Sequence, residues 1–534
     1  MFFLGNASGH DFQFHLASWL DVASQWRQGI LYPRWAAWAN WGYGEPRFVF
    51  YPPASWTLGA ALGSIVGWRA APGTYIWLTL IAGGMAMWRL AREWLSPREA
   101  IAAAVFFAVN PYNLLVVYYR SDFAELLAEA LFPLLILGAL RVTRNRWRGV
   151  PFLGFVLAAV WLCNAPAAVI ATYSLALLLI VGSTFTRNVR PLIAGTAAIA
   201  MGFGLAAFYI LPATAEQRWV QIAQVVSQNL RPEHNFVFAH GGDPEFILFN
   251  WKVSTLALGM MLITGIFAVF VARRRREFPA LWWMLLAIAA VSSFLMFAPS
   301  QVLWRLLPKL RFVQFPWRWL DALSVAFAFL AAAALGRSRK QWISWFAILA
   351  VLGATATAIA HDTWWDSADA PTLADWIHSG FGYEGTDEYA PSGCDRYELP
   401  GVTPNSDDPP SQPIPQFSKV DPDSDEIVPA AGMRVHIDRW APEQRAFSTK
   451  SAAPVDLALR LVNYPAWDAH IDGQQTTIGS RPETAQMVLA IPAGAHKIDL
   501  SLRRTPDRSA GDAISVLSAL LLIAFTRFRR GKPA

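Results

Sequence analysis

Two short stretches hold most of the side chains in this chain that could do chemistry. GHDFQFH, residues 9–15, brings His10, Asp11 and His15 together. YYRSDFAELLAEALF, residues 118–132, spaces Asp122, Glu125 and Glu129 at i, i+3 and i+7, on one face of a helix. A carboxylate can accept a proton from an attacking hydroxyl, hold a hard cation or cap a helix. Asp11 directly precedes a helical pattern, so N-capping is its plain structural alternative. For Asp122 and Glu125 the alternative is a buried ion pair, with Arg120 as the nearest partner. Of the three acids in the second stretch, Asp122 lies nearest the surface and Glu129 deepest.

Two further segments add basic and polar groups. NLRPEHNFVFAHGGDPEF carries Arg231, His234 and His240, and LRFVQFPWRWLD carries Arg311, Gln314 and Arg318. Arginine pairs well with phosphate or carboxylate; a lipid headgroup and a bound lipid phosphate are both open as partners. His10 and His15 are five apart, not the four that a helical metal pair prefers. A phosphate-binding glycine loop, HExxH and GxSxG are all absent from the sequence.

The elements that must position these groups are membrane helices. The chain is 54% hydrophobic and 15% charged, against about 25% charged in soluble proteins. Apolar runs near the ~20 residues that a bilayer requires recur along it. They fall at 73–92, 99–117, 124–141, 150–164, 166–183, 191–211, 254–272, 278–297, 319–336, 342–360 and 512–526, which predicts about eleven spans. The net charge of +6 does not indicate nucleic acid, because Lys and Arg sit in short clusters between the runs, as cytoplasmic loops do. Those clusters fall at every second connection. This puts the C-terminus inside and residues 1–72, 118–123, 212–253, 298–318 and 361–511 outside.

Residues 53–67 would invert that order if they crossed, so they are expected to form a re-entrant or interfacial helix on the outer face. Residues 12–27 repeat apolar positions as an amphipathic helix lying on the membrane surface. MFFLGNAS looks like the tail of a membrane helix, and the expectation is that a first helix is missing ahead of it. The expected organisation is therefore a first outer loop over 1–72 and a helical domain over 73–360. A Pro/Asp/Ser-rich linker over 361–431 follows, then a small extracytoplasmic β-sandwich over 432–511. Residues 512–534 form a last span with a basic tail. The sandwich is read from alternating stretches such as VDLALRLVNY and HKIDLSLRR, with turns at DG and PAG.

GHDFQFH, GILYPRW, GYGEPRFVFYPP and QFPWR resemble segments of a bacterial group of 6-pyruvoyl-tetrahydropterin synthase-related membrane proteins. The sandwich pattern YPAW…IDG…IPAGAHKI is similar to YfhO-like proteins. An acid in the first outer loop and another in the second also resemble the GT-C membrane glycosyltransferases. That resemblance implies a polytopic GT-C-like fold in the bacterial inner membrane. It also implies inverting transfer of a sugar from a polyprenyl phosphate to an envelope acceptor on the extracytoplasmic face. Asp11 would be the base and Asp122 or Glu125 the second acid. Arg318 would meet the lipid phosphate, with His10, His15, Arg231, His234 and Gln314 lining the substrate site. The implied partners are a lipid-linked sugar donor and membrane lipids. Some GT-C enzymes hold a divalent metal at the paired acids and others none. Hard oxygen ligands suit Mg²⁺ or Mn²⁺, and the sequence does not choose. The pterin label has no matching zinc–histidine set. A non-catalytic binder or transporter of lipid-linked saccharide, and an inactive scaffold, are the competing readings.

Overall fold

The structure is a computed structural model that describes residues 6–335, 369–402, 409–421 and 427–530, with scattered positions between 342 and 366. Six described helices are long and apolar enough to cross a membrane, or eight if each of two bent pairs is one span. The difference from eleven has three sources. Helix Ala71–Ala91 forms where a span was expected, but it is not among those six. The run Phe123–Cys163, 41 residues, covers two expected spans. It folds back at Arg146, where φ is 49°, so that Phe132–Asn145 packs on Val150–Cys163. Gly149 lets that turn close, since a Cβ there would lie 2.6 Å from the Val142 nitrogen. The expected span at 342–360 lies largely outside the described residues.

Capping side chains start the helices where the sequence offers them. Ser96 and Glu99 form a reciprocal capping box on Pro97–Ala108. Asn110 accepts from the Tyr112 and Asn113 amides at 2.9 and 3.0 Å and so begins Pro111–Leu115. The helical run Pro316–Ala334 is central, with 94% of its span buried. It is packed by Pro97–Ala108, Pro244–Val271 and Pro279–Leu295. By contrast Pro506–Thr526 is only 6% buried, as expected for a helix surrounded by lipid. Residues 53–66 form a 14-residue helix, about 21 Å long and so short of the ~30 Å hydrocarbon core.

Helix Phe12–Arg27 forms as expected, but protein packs against its polar face as well as its apolar one. Apolar and polar positions alike are buried, including His15, Ser18, Asp21 and Gln25. Tyr383 donates to Asp21 at 2.8 Å, and Gln25 donates to it at 2.9 Å. Residues 381–400, whose composition suggests a linker, are therefore packed: Tyr383 lies against the helix, and Tyr389, Cys394 and Leu399 are buried in the core they share with the sandwich strands. Their aromatic side chains supply the apolar contact that the Pro/Gly/Asp content conceals.

Two five-stranded antiparallel sheets follow. One orders Gly479–Ser480, Gln486–Ile491, Val455–Val462, Phe417–Val420 and Ile427–Pro429. The other orders Arg434–Ala441, Gln444–Ser451, Gly494–Leu502, Trp467–Ile471 and Gln474–Thr476. Phe447, Leu457, Leu459, Met487, Ile498 and Leu500 share one core, making a sandwich. Its first strand begins at Phe417, inside the stretch read as linker. Arg460 ties the sandwich to the first loop by donating to the Trp41 carbonyl at 2.9 Å, and to residues 381–414 by donating to the Phe381 and Ile414 carbonyls at 2.7 and 3.2 Å. Glu216 ties it to the last helix. This carboxylate is fully buried and accepts from Arg508 at 2.7 and 2.8 Å, from Thr505 at 3.2 Å and from the Tyr464 hydroxyl.

Removing one charge of a buried pair leaves the other uncompensated, at a cost of about 3 kcal/mol or more. Glu216→Gln is therefore expected to lower the unfolding midpoint of the detergent-solubilised protein clearly. A midpoint unchanged from wild type would show that the clamp contributes nothing.

Candidate functional site

The site is built where the N-terminal segment meets the end of the second long helix. Pro97–Arg120 closes on a π-helical turn, Val116–Arg120, followed by Ser121 with φ 53°. Such turns often mark functional sites. Residues 7–11 run along this turn. The His10 and Asp11 amides donate to the Tyr119 and Arg120 carbonyls at 3.2 and 2.8 Å. Gly9 donates to Ser121 Oγ at 3.1 Å, and Ser121 Oγ donates to the Ala7 carbonyl at 2.9 Å. A Cβ at Gly9 would sit 2.6 Å from the Arg120 carbonyl carbon, so only glycine allows this approach.

That seam delivers Asp11 to Arg120. Arg120 Nη2 donates to Asp11 Oδ2 at 2.6 Å and to Asp122 Oδ2 at 3.1 Å, and Nη1 donates to Glu125 Oε2 at 2.8 Å. Arg318, from the start of the central helical run, meets the same acids from the other side. Its Nη2 reaches Asp122 Oδ2 at 3.2 Å and its Nε reaches Glu125 Oε2 at 2.8 Å. Asp122 caps helix Phe123–Glu129 through the Glu125 amide at 2.9 Å. Tyr112, set by the Asn110 cap, donates to Glu125 Oε1. His15 Nε2 lies 3.6 Å from Asp122 Oδ1. Gln314 accepts from Arg318 at 3.0 Å and donates to the Val225 carbonyl at 2.8 Å. Phe315 and Trp317, stacked at 4.7 Å, cover the Arg120 guanidinium at 5.4 and 5.2 Å.

The expected site residues thus separate into groups. Asp11, Asp122, Glu125, His15, Gln314 and Arg318 converge. His10 is adjacent, its ring edge-on to Phe249 at 4.9 Å. Arg231 and His234 make no ion pair with the network among the described residues. Arg231 donates to the Val226 carbonyl at 3.3 Å, and His234 packs beneath Gly241. Asp11 sits at the N-cap position but makes no capping bond, because its side chain is turned to Arg120. Accessibility differs sharply within the network. The Asp11 side chain is 35% exposed, whereas Arg120, Asp122, Glu125 and Arg318 are each 5% or less. Arg120 was legible only as a partner for the acids, and its place at the centre was missed. Tyr112 and Lys252 were missed outright. Lys252 lies over the Tyr119 ring at 5.6 Å, one turn beyond Phe249. Asp321, an acid inside an apolar run, was detectable by that signal; it lies buried below Glu125.

A divalent cation does not fit these acids. It requires several oxygen ligands free of competing cations, and the guanidinium groups already hold Asp122 Oδ2 and Glu125 Oε2. Among the described residues no group of three or more His, Cys, Asp or Glu is placed to hold a metal.

The family described as 6-pyruvoyl-tetrahydropterin synthase related domain, membrane protein, matches residues 48–367. That range contains Arg120, Asp122, Glu125 and Arg318 but not Asp11. No curated protein matches the chain. ArnT from Cupriavidus metallidurans bound to undecaprenyl phosphate is similar in structure, with a TM-score of 0.45 and 14% identity over 70% of this chain and 65% of ArnT. The Archaeoglobus fulgidus oligosaccharyltransferase AglB, in complex with an inhibitory peptide and a dolichol-phosphate, is similar with a TM-score of 0.38. Its identity is 15%, over 72% of this chain and 53% of AglB. The chain thus spans less than two thirds of the length of either protein.

Burial alone would raise the pKa of Asp122, but Arg120, the His15 contact and Arg318 outweigh it and hold the carboxyl well below the usual range. A depressed folded-state value stabilises the protein at every pH above the unfolded value of ~3.9 and is lost as pH falls below it. Arg318→Gln is therefore expected to lower the unfolding midpoint most near neutral pH. The gap to wild type should narrow below about pH 4 as wild type loses the Asp122 contribution. A gap that stays constant with pH would refute this assignment.

Proposed function

The chain belongs to the family of 6-pyruvoyl-tetrahydropterin synthase-related membrane proteins, and from that premise we propose that it is a membrane glycosyltransferase. It transfers a sugar from a polyprenyl-phosphate donor to an envelope acceptor at the extracytoplasmic face. The observation that carries this reading is the asymmetry of the network. Three carboxylates share two buried arginines, and only Asp11 remains open to water.

Asp11 uses Oδ2 to hold Arg120, and Oδ1 is left to accept the proton of an acceptor hydroxyl. The acceptor oxygen then bonds to the sugar C1 as the C1–O bond to phosphate breaks, and the phosphate leaves with that electron pair. A single displacement of this kind inverts the anomeric centre. Arg120 keeps the Asp11 carboxylate oriented, which is worth more than its charge alone. Asp122 and Glu125 are buried and bonded to both arginines, so their role is to position Arg120 rather than to touch substrate. Arg318 is likewise spent on the acids, so the donor phosphate needs another cation.

Lys252 meets that need. It is exposed and has no ion-pair partner among the described residues. Its helix, Pro244–Val271, turns exposed Phe246, Leu248 and Trp251 outward. A lipid chain can lie along that face while its phosphate reaches Lys252 and His10, beside Asp11.

Asp11→Asn is expected to cut product formation about 10²- to 10⁴-fold, with normal expression and folding. The readout is the envelope glycan and glycolipid profile of cells whose only copy is the variant. A wild-type profile would refute the role of Asp11. Lys252→Gln is expected to raise KM for the lipid-linked donor with a smaller change in kcat. An unchanged KM would remove Lys252 from the donor site.

A further inference from the structure

At the end of the membrane domain remote from Asp11, four connections meet. Trp94 follows helix Ala71–Ala91, Arg144 lies in the last turn of Phe132–Asn145 and Arg146 directly follows that helix. Thr186 and Asn188 close helix Ala165–Thr186, and Phe278 and Pro279 open helix Pro279–Leu295. Together these line a pocket of about 400 Å³. Helix Phe123–Glu129 and the one that follows it place this pocket some two dozen helical residues beyond Asp122, about 35 Å along the chain.

The pocket is positively charged beyond its own needs. Glu93 is paired twice, with Arg89 at 2.7 Å and Arg144 at 3.3 Å. Arg144 also lies over the Trp94 ring at 4.6 Å. Arg146 is half-buried and has no carboxylate partner among the described residues. A half-buried guanidinium without an anion favours one from outside.

Phe185 separates this pocket from a second concavity of about 480 Å³, between helices Ala165–Thr186 and Pro279–Leu295. Ile180, Val181, Trp283, Leu286 and Ala287 line it. Ile180, Phe185 and Trp283 are exposed there, on a lipid-facing surface. A phosphate alone would leave the apolar half empty, and an uncharged chain would leave Arg146 unmatched. A molecule carrying both an anionic phosphate and a hydrocarbon chain satisfies the two halves at once.

We propose that this paired concavity binds one anionic phospholipid of the adjacent leaflet. Its phosphate lies against Arg144 and Arg146, and one acyl chain passes Phe185 into the groove. The site is separate from the Asp11 network and does not depend on the proposed glycosyl transfer.

The test uses the full chain in a neutral detergent, titrated with phosphatidylglycerol, phosphatidylcholine or inorganic phosphate while the unfolding midpoint is followed. Phosphatidylglycerol is expected to raise the midpoint more than phosphatidylcholine does, and inorganic phosphate is expected to leave it in place. Arg146→Gln should weaken phosphatidylglycerol binding about fivefold, the contribution of one arginine near a lipid headgroup. Ala287→Trp, which fills the groove, should weaken it as well. Equal effects of the two lipids, full stabilisation by inorganic phosphate, or wild-type binding by Arg146→Gln would each overturn the proposal. Should Arg146→Gln fail to fold, Arg144→Gln and Ala287→Trp decide by the same comparison.

Discussion

A buried guanidinium must have its donors filled, and Arg120 fills them with carboxylates from three parts of the chain. Asp11 comes from the N-terminal segment, Asp122 from the turn after Arg120 itself, and Glu125 from the next helix. The planar fork of arginine can address these directions at once, which a lysine ammonium could not do with the same rigidity. Burying this much charge is costly, and the cost is offset only when every member is bonded. The elements around the site follow from that demand. The π-helical turn aims Arg120, the Asn110 cap sets Tyr112 against Glu125, and the central helical run supplies Arg318.

Water access sets Asp11 apart from the other two acids. Asp11, Asp122 and Glu125 are three acids gathered on the two guanidinium groups of Arg120 and Arg318. A carboxylate is least costly where water reaches it, and Asp11 is the member that water reaches. The two inner acids are buried against the arginines, so the likeness among the three acids in sequence hides a difference in setting. Burial is what separates them, and burial depends on elements distant in the chain.

The sequence made Asp11, Asp122, Glu125 and Arg318 visible because acids and arginines are conspicuous at the ends of apolar runs. It did not reveal that Arg120 is their common centre. The intervals 11 to 120 and 125 to 318 meet only through packing of separate helices, and no local period records that contact. Helix Phe12–Arg27 shows the same limit. Its spacing gave the helix correctly, but whether its polar face met water or protein depended on Tyr383 and Trp38, which satisfy Asp21. In the stretch read as linker, Pro, Gly and Asp dominate the composition, while a few aromatic side chains do the packing.

These contacts also tie the β-sandwich to the segments around helix Phe12–Arg27. Arg460 spends its donors on the Trp41, Phe381 and Ile414 carbonyls, all protein groups. Glu443 accepts from the Arg34 amide at 2.6 Å, and the Val462 amide donates to the Tyr43 carbonyl at 3.1 Å. The sandwich therefore holds the loop that follows helix Phe12–Arg27. That loop returns to the helix through Gln25, which donates to the Trp35 carbonyl at 2.8 Å. Asp11 stands at the other end of the same helix. The helix is bonded at both ends, through Gln25 to the loop and through Asp11 to Arg120. The sheets thus support the carboxylate across sixteen helical residues, through backbone and buried polar bonds that exposed side chains on the sandwich surface do not enter.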